Sequence, residues 1–417
     1  MNNSLFDFLP ALIVICLNEL KETKATPITE RRPYILPIIV LSQFAGTSLW
    51  FAGNAILPDI QHDLSADGNT IGNITAVVQF GFIAGTLAFA LFAVADRFDP
   101  SKVFFVSSTL AAISNLAIIW FATNTTSLFV LRFITGFFLA GIYPVGMKIA
   151  SDWYEKGLGK ALGYLVGALV VGTAFPHLLK SDLYNLPWKE VMVFTSCFAF
   201  IGGLMIVLFV GDGPYRKPAT HFQGSAMFRV FRSPNFRSAA FGYFGHMWEL
   251  YTFWAFVPVM LSFHADHRIT NIPLWSFIII AIGGVSCVIG GYVSQKIGSA
   301  RVAFYSLLCS GICCLASFSF FHLPLPLFIL LMLVWGFFVI ADSPQFSALV
   351  SQTAVPQYRG TALTIVTSIG FAITIGSVQV LNHAYDTWTK TNAVFLLLTP
   401  GPVLGLLFLF RLSKQKR

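Results

Sequence analysis

Long apolar runs separated by short polar breaks cover most of the chain. These runs repeatedly exceed the ~18 residues that an α-helix needs to cross the hydrocarbon core of a bilayer. The pattern therefore predicts an all-α integral membrane protein. We expect twelve transmembrane helices, at about 34–58, 70–94, 103–123, 127–149, 158–179, 190–210, 238–263, 274–297, 301–321, 325–350, 358–382 and 392–411.

The longest polar interruption, 211–237, carries several basic residues and prolines and separates two blocks of six helices. Such a break is typical of a linker between domains. It divides the chain into a tail, a six-helix bundle, the linker, a second six-helix bundle and a short basic end. These segments span 1–33, 34–210, 211–237, 238–411 and 412–417.

Composition excludes an ordinary soluble fold. Charged residues make up 11% of the chain, hydrophobic residues 56%, and the mean hydropathy is +0.74, whereas soluble domains carry roughly 25% charged residues. The net charge of +8 could suggest a nucleic-acid partner, but the basic residues lie in short connectors, as expected for orientation in a bilayer. No nucleic-acid partner is expected.

The distribution of Lys and Arg predicts the orientation in the membrane. With the N-terminus inside, 21 of the 26 basic residues fall on the cytoplasmic side and four in external loops. Because basic residues are retained in the cytoplasm, both termini are predicted to be cytoplasmic, in a bacterial inner or plasma membrane. Within 1–33 an apolar stretch is too short to span the bilayer, and an interfacial helix or a loose tail is expected.

The two halves share features at an offset of 200 residues. Gly136 and Pro144 of helix four fall on Gly336 and Pro344 of helix ten. The same offset aligns Phe44 with Phe244 and Pro58 with Pro258. Coincidence could explain one match, since Gly and Phe are abundant. Several matches in one register indicate two related, pseudo-symmetric six-helix bundles, the layout of transporters whose halves rock around a central site.

A connector motif follows helix two and is repeated after helix eight. The first copy has Asp96-Arg97 within FAVADRFDPSK, and the second has Gln295-Lys296 within GYVSQKIG. Both resemble the G-x-L-x-D-R-x-G-R motif of the major facilitator superfamily, although the first lacks the glycines and the second lacks the acid. The resemblance covers about 34–411 and implies the major facilitator fold.

Other motifs both support and limit this resemblance. Arg132, followed by Gly136 and Gly141 on helix four, resembles the basic motif of the family. The motif that many drug exporters carry in their fifth helix is absent, which weakens the hypothesis of drug–proton exchange. The glycines of helix five suit close packing between helices. The resemblance implies a cytoplasmic latch rather than a substrate site for five residues, namely Asp96, Arg97, Lys148, Asp152 and Lys296.

Three charges are the strong candidates for a role at membrane depth: Arg132, Glu249 and Asp342. A charge at this depth costs from ~3 kcal/mol upward unless it has a partner or a wet cavity. Glu249 lies near the middle of helix seven, and His246 precedes it by one helical turn on nearly the same face. Apolar surroundings favour the neutral form of a carboxyl group, so Glu249, with His246, is our candidate for proton coupling. The alternative is a fixed hydrogen-bonded group that holds helix seven against a neighbour.

Arg132 cannot lose its charge in practice. It is expected to pair with an acid or an anionic substrate, or else to reach the outer interface. Asp342 precedes Pro344 and is expected either to line a cavity or to cap a bend in helix ten.

Aromatic and amide side chains supply the remaining pathway candidates. Aromatic faces attract organic cations and stack on flat solutes, although contacts with lipid or with other helices are an alternative for each. The candidates are Gln43, Trp50, Asn54, Gln79, Tyr143, Trp248, Tyr251, Trp254 and Gln345.

The sequence therefore predicts a secondary transporter that moves a small organic solute by alternating access, driven by protons and acting as a monomer. Alternatives are organic-anion or drug transport without protons, or a membrane receptor of the same fold. Nitrate-type members of the family hold their anion with arginines in helices two and eight, which this chain lacks, so inorganic anions are disfavoured. An enzyme is not expected, and the scattered cysteines and histidines predict no metal or cofactor.

Overall fold

A computed structural model describes residues 33–64, 70–154, 158–216, 229–264, 269–355, 358–388 and 391–414. The predictions for the tail before residue 33, for the central part of the linker at 217–228 and for the last three basic-tail residues lie outside the described residues. All regular structure in the described part of the chain is helical.

In the N-terminal half, α1 is a broken helix of three consecutive segments, Ile35–Thr47, Ala52–Ala55 and Leu57–Leu64. A short helix, Val94–Arg97, lies in the connector before α3, and α4 is divided into Thr125–Leu139 and Tyr143–Trp153. The continuous helices α2, α3, α5 and α6 span Thr70–Leu91, Pro100–Phe121, Leu158–Lys180 and Trp188–Phe209.

The C-terminal half repeats this order. Helix α10 is divided into Leu325–Ala341 and Ser343–Thr353, and α12 combines a 3₁₀ segment, Asn392–Leu398, with Pro400–Ser413. The continuous helices α7, α8, α9 and α11 span Pro234–Ser262, Ile272–Ile297, Ser299–Phe320 and Arg359–Thr387. Helix α7 begins four residues earlier than the sequence pattern predicts, because Ser233 caps it and Pro234 fits its first turn.

Ten helices in the described part of the chain are long and apolar enough to cross a membrane. The other two positions of the bundle are α1, whose first segment has only 13 residues, and α7, which carries His246 and Glu249. The count is consistent with twelve membrane helices, and α1 and α7 occupy equivalent positions in the two halves.

Helix packing shows the pseudo-symmetry directly. In the N-terminal half α1 packs against α5 and α6, α2 against α4, and α3 against α4 and α6. The C-terminal half repeats these contacts with each helix number raised by six. There α7 packs against α11 and α12, α8 against α10, and α9 against α10 and α12. The halves meet through two equivalent contacts, α2 with α11 and α5 with α8. The two six-helix bundles are therefore related folds.

The matched glycines lie at matched contacts. A Cβ at Gly136 would overlap the carbonyl oxygen of Val78 on α2, and one at Gly336 would overlap that of Ile279 on α8. The absence of a side chain lets the helix backbones approach closely.

The matched prolines explain the breaks in α4 and α10. Pro144 and Pro344 each lie in the first turn of the second segment of their helix, where a missing N–H is tolerated. Because proline cannot donate to the preceding turn, the first segments end at Leu139 and Ala341.

Candidate functional site at the contact between the two halves

Four aromatic rings from both halves meet near the middle of the bundle, and we call them the aromatic plug: Trp50 of α1, Phe82 of α2, Tyr251 of α7 and Phe371 of α11. Trp50 stacks on Tyr251 and Phe371 at centroid distances of 5.6 and 5.7 Å. Phe82 lies 4.9 Å from Trp50 and 4.6 Å from Phe371. Such contacts stabilise beyond area burial alone, so the plug holds the two halves together across the predicted pathway.

The two sides of the bundle differ around this plug. We call the side that holds residues 33, 211–216 and 414 the linker side, and the other the far side. On the far side Gln379 of α11 donates to Asn73 of α2 at 3.1 Å. A Cβ at Gly72 would approach Asn382 to within 2.8 Å. The halves are therefore closely packed from the plug outward on the far side.

On the linker side of the plug lie five polar residues from both halves, which we call the linker-side polar set: Gln43, Thr86, Tyr143, Tyr243 and Ser368. Gln43 and Trp50 are seven residues apart on α1, and Thr86 and Ser368 are each about one turn from a plug residue, so they share faces with the plug. Tyr143 of α4 lies within electrostatic range of Tyr243 and Tyr251 of α7. Polar groups of both halves thus lie on this side of the plug.

Several polar atoms of the linker-side polar set have no hydrogen-bond partner among the described residues. They are Nε2 and Oε1 of Gln43, Oγ1 of Thr86 and Oγ of Ser368. Thr86, Tyr143, Tyr243 and Ser368 keep between 6% and 9% of their surface exposed, whereas Trp50 keeps 1% and Phe82 none. The linker-side polar set is therefore buried and contains several unpaired polar groups, with the plug on its far side.

Arg132 lies inside the N-terminal half and is fully buried. Its guanidinium donates to Oδ1 of Asn115 at 3.0 Å and to the carbonyl oxygens of Leu49 and Trp50 at 3.1 and 2.6 Å. Those carbonyls belong to the break in α1, where helical hydrogen bonding is interrupted. The side chain satisfies this break rather than reaching the outer interface.

Glu249 faces α9 and α10 inside the C-terminal half and is 1% exposed. Its Oε1 accepts from Nε1 of Trp335 at 2.7 Å and from Sγ of Cys314 at 3.2 Å, and its Oε2 accepts from Oγ of Ser310 at 3.0 Å. Three donors aimed at one carboxyl group suit the ionised form. Glu249 therefore ties α7 to both neighbouring helices.

The same network can also hold the protonated form of Glu249. Ser310 Oγ lies 3.2 Å from the carbonyl oxygen of Leu307, an alternative acceptor. If Glu249 gains a proton, it can donate to Ser310 while the hydroxyl turns to Leu307, so no buried donor is lost. Ser310 can thus serve either state of the carboxyl group.

His246 and Asp342 form a buried pair between α7 and the break in α10. Nδ1 of His246 lies 2.8 Å from Oδ1 of Asp342, and each side chain is 1% exposed. Asp342 makes no side-chain capping bond to the second segment of α10. At the equivalent place in the N-terminal half, Gly46 lies against Ile142. An apolar contact in one half is therefore replaced by a titratable pair in the other.

Three of the five residues predicted to form a latch contact one another on the linker side. Lys148 contacts Asp96 at 3.0 Å and Asp152 at 3.9 Å, joining the connector after α2 to the end of α4. Arg97 and Lys296 are exposed on this side.

The other candidate residues are distributed over different contacts. Asn54 donates to Thr75 at 2.7 Å on the far side, and Trp254 lies 5.2 Å from Tyr251 beside the plug. Gln79 is fully buried, and its amide has no hydrogen-bond partner within the described ranges. Trp248 donates to the carbonyl oxygen of Leu397 at 2.8 Å and so faces α12, away from the plug. Gln345 is buried near Gly290 of α8.

Sequence reasoning missed the partners of these groups. The missed residues are Phe82, Thr86, Tyr243, Ser310, Cys314, Trp335, Ser368 and Phe371. A signal existed on α2, where Gln79, Phe82 and Thr86 follow a helical spacing of three and four, and on α11, where Ser368 precedes Phe371 by one turn. The partners of Glu249 carried no signal, since Ser, Cys and Trp are common in apolar helices.

Comparisons with known proteins agree with this architecture. The sequence model of the Major Facilitator Superfamily matches residues 39–377. An uncharacterised protein of Campylobacter jejuni subsp. jejuni serotype O:2 is 23% identical over 286 residues, covering 66% of this chain and 86% of that protein. The probable sulfoacetate transporter SauU of Cupriavidus necator is 22% identical over 242 residues, covering 52% of this chain and 56% of that protein, so the chain spans little more than half of this relative.

Among solved structures, the proton:xylose symporter XylE bound to 6-bromo-6-deoxy-D-glucose superposes with a TM-score of 0.72 at 14% identity, covering 92% of this chain and 97% of that one. This likeness concerns the fold, and the family match extends over most of the sequence. The chain belongs to the major facilitator superfamily of secondary transporters.

Proposed function

We propose that this transporter moves a small organic solute by alternating access and couples the movement to protons through Glu249 and the His246–Asp342 pair. The observation that carries the proposal is the placement of both carboxyl groups. They link α7 to α9 and to α10, and both are buried in the C-terminal half. A charge change there alters how α7 packs, and α7 also carries Tyr251 of the plug.

The coupling follows from which contacts depend on charge. The ionised carboxylate of Glu249 accepts hydrogen bonds from α9 and α10. The ionised carboxylate of Asp342 pairs with His246. Protonation removes the charge that makes these hydrogen bonds strong and loosens α7 from its neighbours. Movement of α7 shifts Tyr251 and opens the stack between the halves. Proton binding and opening of the plug are thereby linked.

The test uses purified protein in proteoliposomes with a pH-sensitive dye inside. A thermal-shift screen first identifies a solute, and the solute is then added under an imposed proton gradient. The wild type is expected to show solute-dependent proton movement. Glu249→Gln keeps the shape of the side chain and is expected to lose gradient-driven uptake while retaining solute exchange. Glu190→Gln makes the same chemical change at an exposed position of α6 and serves as the control.

Full gradient-driven uptake in both Glu249→Gln and Asp342→Asn would exclude these residues from coupling. Solute transport by the wild type without any proton movement would exclude coupling itself. A protein that binds the solute but never transports it would instead support the receptor alternative.

Transport of an organic anion is the second candidate. The name of the relative from Cupriavidus necator refers to sulfoacetate, an anion, and Nε of Arg132 has no acceptor among the described residues. The other guanidinium nitrogens of Arg132 are held by protein oxygens, which favours the first candidate. Unchanged solute binding in Arg132→Ala would remove this residue from the site.

We further propose that the division of the chain into two bundles at 211–237 places both termini and this linker in the cytoplasm, and that the functional unit is a monomer. The excess of basic residues on the linker side supports this orientation. Labelling of Arg229→Cys from outside intact cells would contradict it.

A further inference from the structure

Because three cations without acidic partners lie where two lipid-facing helix faces end, we propose that Arg301, Arg411 and Lys414 bind the phosphate of an anionic phospholipid. The lipid belongs to the leaflet on the linker side, and we call the three residues the basic cluster. This inference concerns the outer surface of α9 and α12, so it depends neither on proton coupling nor on the identity of the solute.

The first step of the argument concerns the unequal distribution of acidic residues between the two halves. On the linker side of the N-terminal half, Asp96 and Asp152 contact Lys148, and Asp212 contacts Arg216. Cations and acids are therefore mixed on this part of the surface, and the protein supplies counter-charges itself.

The C-terminal half lacks such acids on its linker side. After Asp212 the sequence has only four acidic residues, Glu249, Asp266, Asp342 and Asp386. Glu249 and Asp342 are buried, and Asp386 lies in the last turn of α11, on the far side. Asp266 lies outside the described residues. In the part of this half that the structure describes, no acid therefore balances the exposed cations of the linker side.

The second step concerns the geometry of the basic cluster. The rings of Phe304 on α9 and Phe410 on α12 lie 6.1 Å apart between centroids. Arg301 precedes Phe304 by about one turn and Arg411 directly follows Phe410, so both arginines lie beyond this contact on the linker side. Nζ of Lys414 lies 4.0 Å from the centre of the Phe410 ring. Three positive charges from two helices are thus placed around one aromatic contact.

The charges of the basic cluster are available to a ligand. All three residues are exposed, and neither arginine makes a hydrogen bond or an ion pair with another described residue. Like charges held at one place repel each other, and an anion between them replaces this repulsion by attraction. A phosphate group accepts hydrogen bonds from guanidinium and ammonium groups alike.

The third step concerns the source of the phosphate. Tyr305 follows Arg301 by one turn on α9 and is 57% exposed, and Leu407 precedes Arg411 by one turn on α12 and is 70% exposed. Residues four apart share a helix face, so each arginine stands at the linker-side end of a face turned towards lipid. Tyrosine is typical of the boundary between headgroups and hydrocarbon. A headgroup phosphate at the cluster would place its acyl chains along these two faces, which a free phosphate lacks.

The experiment measures lipid binding to the full-length protein in detergent by thermal unfolding and by native mass spectrometry. The probes are phosphatidylglycerol, phosphatidylcholine with its neutral headgroup, and inorganic phosphate. Phosphatidylglycerol is expected to stay bound and to raise the unfolding temperature by several degrees when in large excess over its dissociation constant. High salt is expected to weaken this binding, because exposed charges are screened. The other two probes are expected to have neither effect.

Variants separate the basic cluster from the rest of the surface. Each cation beside an anionic headgroup contributes about fivefold to binding, so Arg301→Gln is expected to weaken phosphatidylglycerol binding by about fivefold and Arg301→Gln with Arg411→Gln by about thirtyfold. Lys102→Gln is the matched control, since Lys102 is exposed in the first turn of α3 as Arg301 is in that of α9. It is expected to bind the lipid as the wild type does. Without added lipid, all these variants are expected to unfold at the temperature of the wild type.

Equal stabilisation by phosphatidylglycerol and phosphatidylcholine would overturn the proposal, since the acyl chains alone would then account for binding. Equal stabilisation by inorganic phosphate would assign the cluster to a free anion instead. Unchanged binding in the double variant, or an equal loss in Lys102→Gln, would also contradict it. If the double variant unfolds early without lipid, the comparison of headgroups and the salt dependence in the wild type decide. None of these outcomes changes the proton movement measured in proteoliposomes, so this proposal and the proposed function fail separately.

Discussion

At the scale of single residues, Arg132 in the N-terminal half and Glu249 in the C-terminal half are accommodated by opposite chemistry. Arg132 donates to backbone carbonyls of a broken helix, and Glu249 accepts from three side chains. The guanidinium is permanently charged, so it needs acceptors at all times, whereas the carboxyl group can change its charge. Of these two charges, that of Glu249 can therefore respond to protons.

Ser310→Ala tests this response. The variant removes the hydroxyl that can serve either state of Glu249, and we expect proton-driven uptake to slow, with a loss of about 1–3 kcal/mol in the free energy of unfolding because a buried carboxyl group loses a donor. Uptake assays and thermal unfolding measure the two effects.

Ser317→Ala is the matched control, since among the described residues this buried hydroxyl on the same helix donates to the carbonyl oxygen of Cys314 and not to Glu249. If both variants slow uptake equally, the effect would come from α9 as a whole and not from the contact with Glu249.

The sequence identified Glu249 because a carboxylate interrupts an apolar run, but not its partners. The three donors lie 61, 65 and 86 residues away along the chain. Neutral donors of this kind show no pattern in a membrane helix, and only packing assigns them to Glu249.

At the scale of helices, glycine and proline set both the breaks and the closest contacts. Pro144 and Pro344 stand where α4 and α10 restart, and the carbonyls freed near the break of α1 are satisfied by Arg132. Irregular backbone inside a membrane protein persists where other groups satisfy it. These breaks place Asp342 beside His246, so the helix geometry prepares the titratable pair.

The glycine contacts give a prediction at this scale. Gly136→Ala and Gly336→Ala each introduce a methyl group onto a backbone carbonyl of the neighbouring helix. Because backbone cannot move aside cheaply, we expect each variant to lose about 1–3 kcal/mol in stability. Thermal unfolding in nanodiscs measures this loss.

Gly376→Ala is the control on α11, since nothing lies within 4 Å of its Cβ position. It is expected to be neutral or to stabilise by up to about 1 kcal/mol through helix propensity. Equal stability of all three variants would show that the close approach of α4 to α2 and of α10 to α8 is not required.

At the scale of the whole molecule, the halves are joined by the plug, by the far-side contacts of α2 with α11, and by α5 with α8. Tyr164 and Tyr292 meet at 3.0 Å between their hydroxyls in the α5–α8 contact. Alternating access requires some of these contacts to separate. The hydrogen bond between Asn73 and Gln379 lies where such separation would open the far side.

Cross-linking tests this movement. Asn73→Cys with Gln379→Cys, in a background with the native cysteines replaced by serine, is joined by a short bis-maleimide. We expect the cross-link to abolish transport because the two halves can no longer part on the far side. Transport is measured before and after cross-linking.

Asp59→Cys with Lys180→Cys is the control pair. These residues contact each other at 2.7 Å on the far side, but both lie in the N-terminal half, so their cross-link is expected to leave transport intact. Undiminished transport with the first pair joined would contradict opening between α2 and α11.

The sequence by itself determined the membrane environment, the helical architecture, the repeat and the few charges worth examining. These follow from local properties, since hydropathy sets which segments enter lipid and an offset of 200 residues is visible without coordinates. The tertiary structure alone decided that Arg132 serves the break of α1, that Trp248 faces α12, and which polar groups around the plug stay unpaired. Hydrogen-bond partners and unpaired groups depend on side chains from helices far apart in sequence, and only packing brings them together.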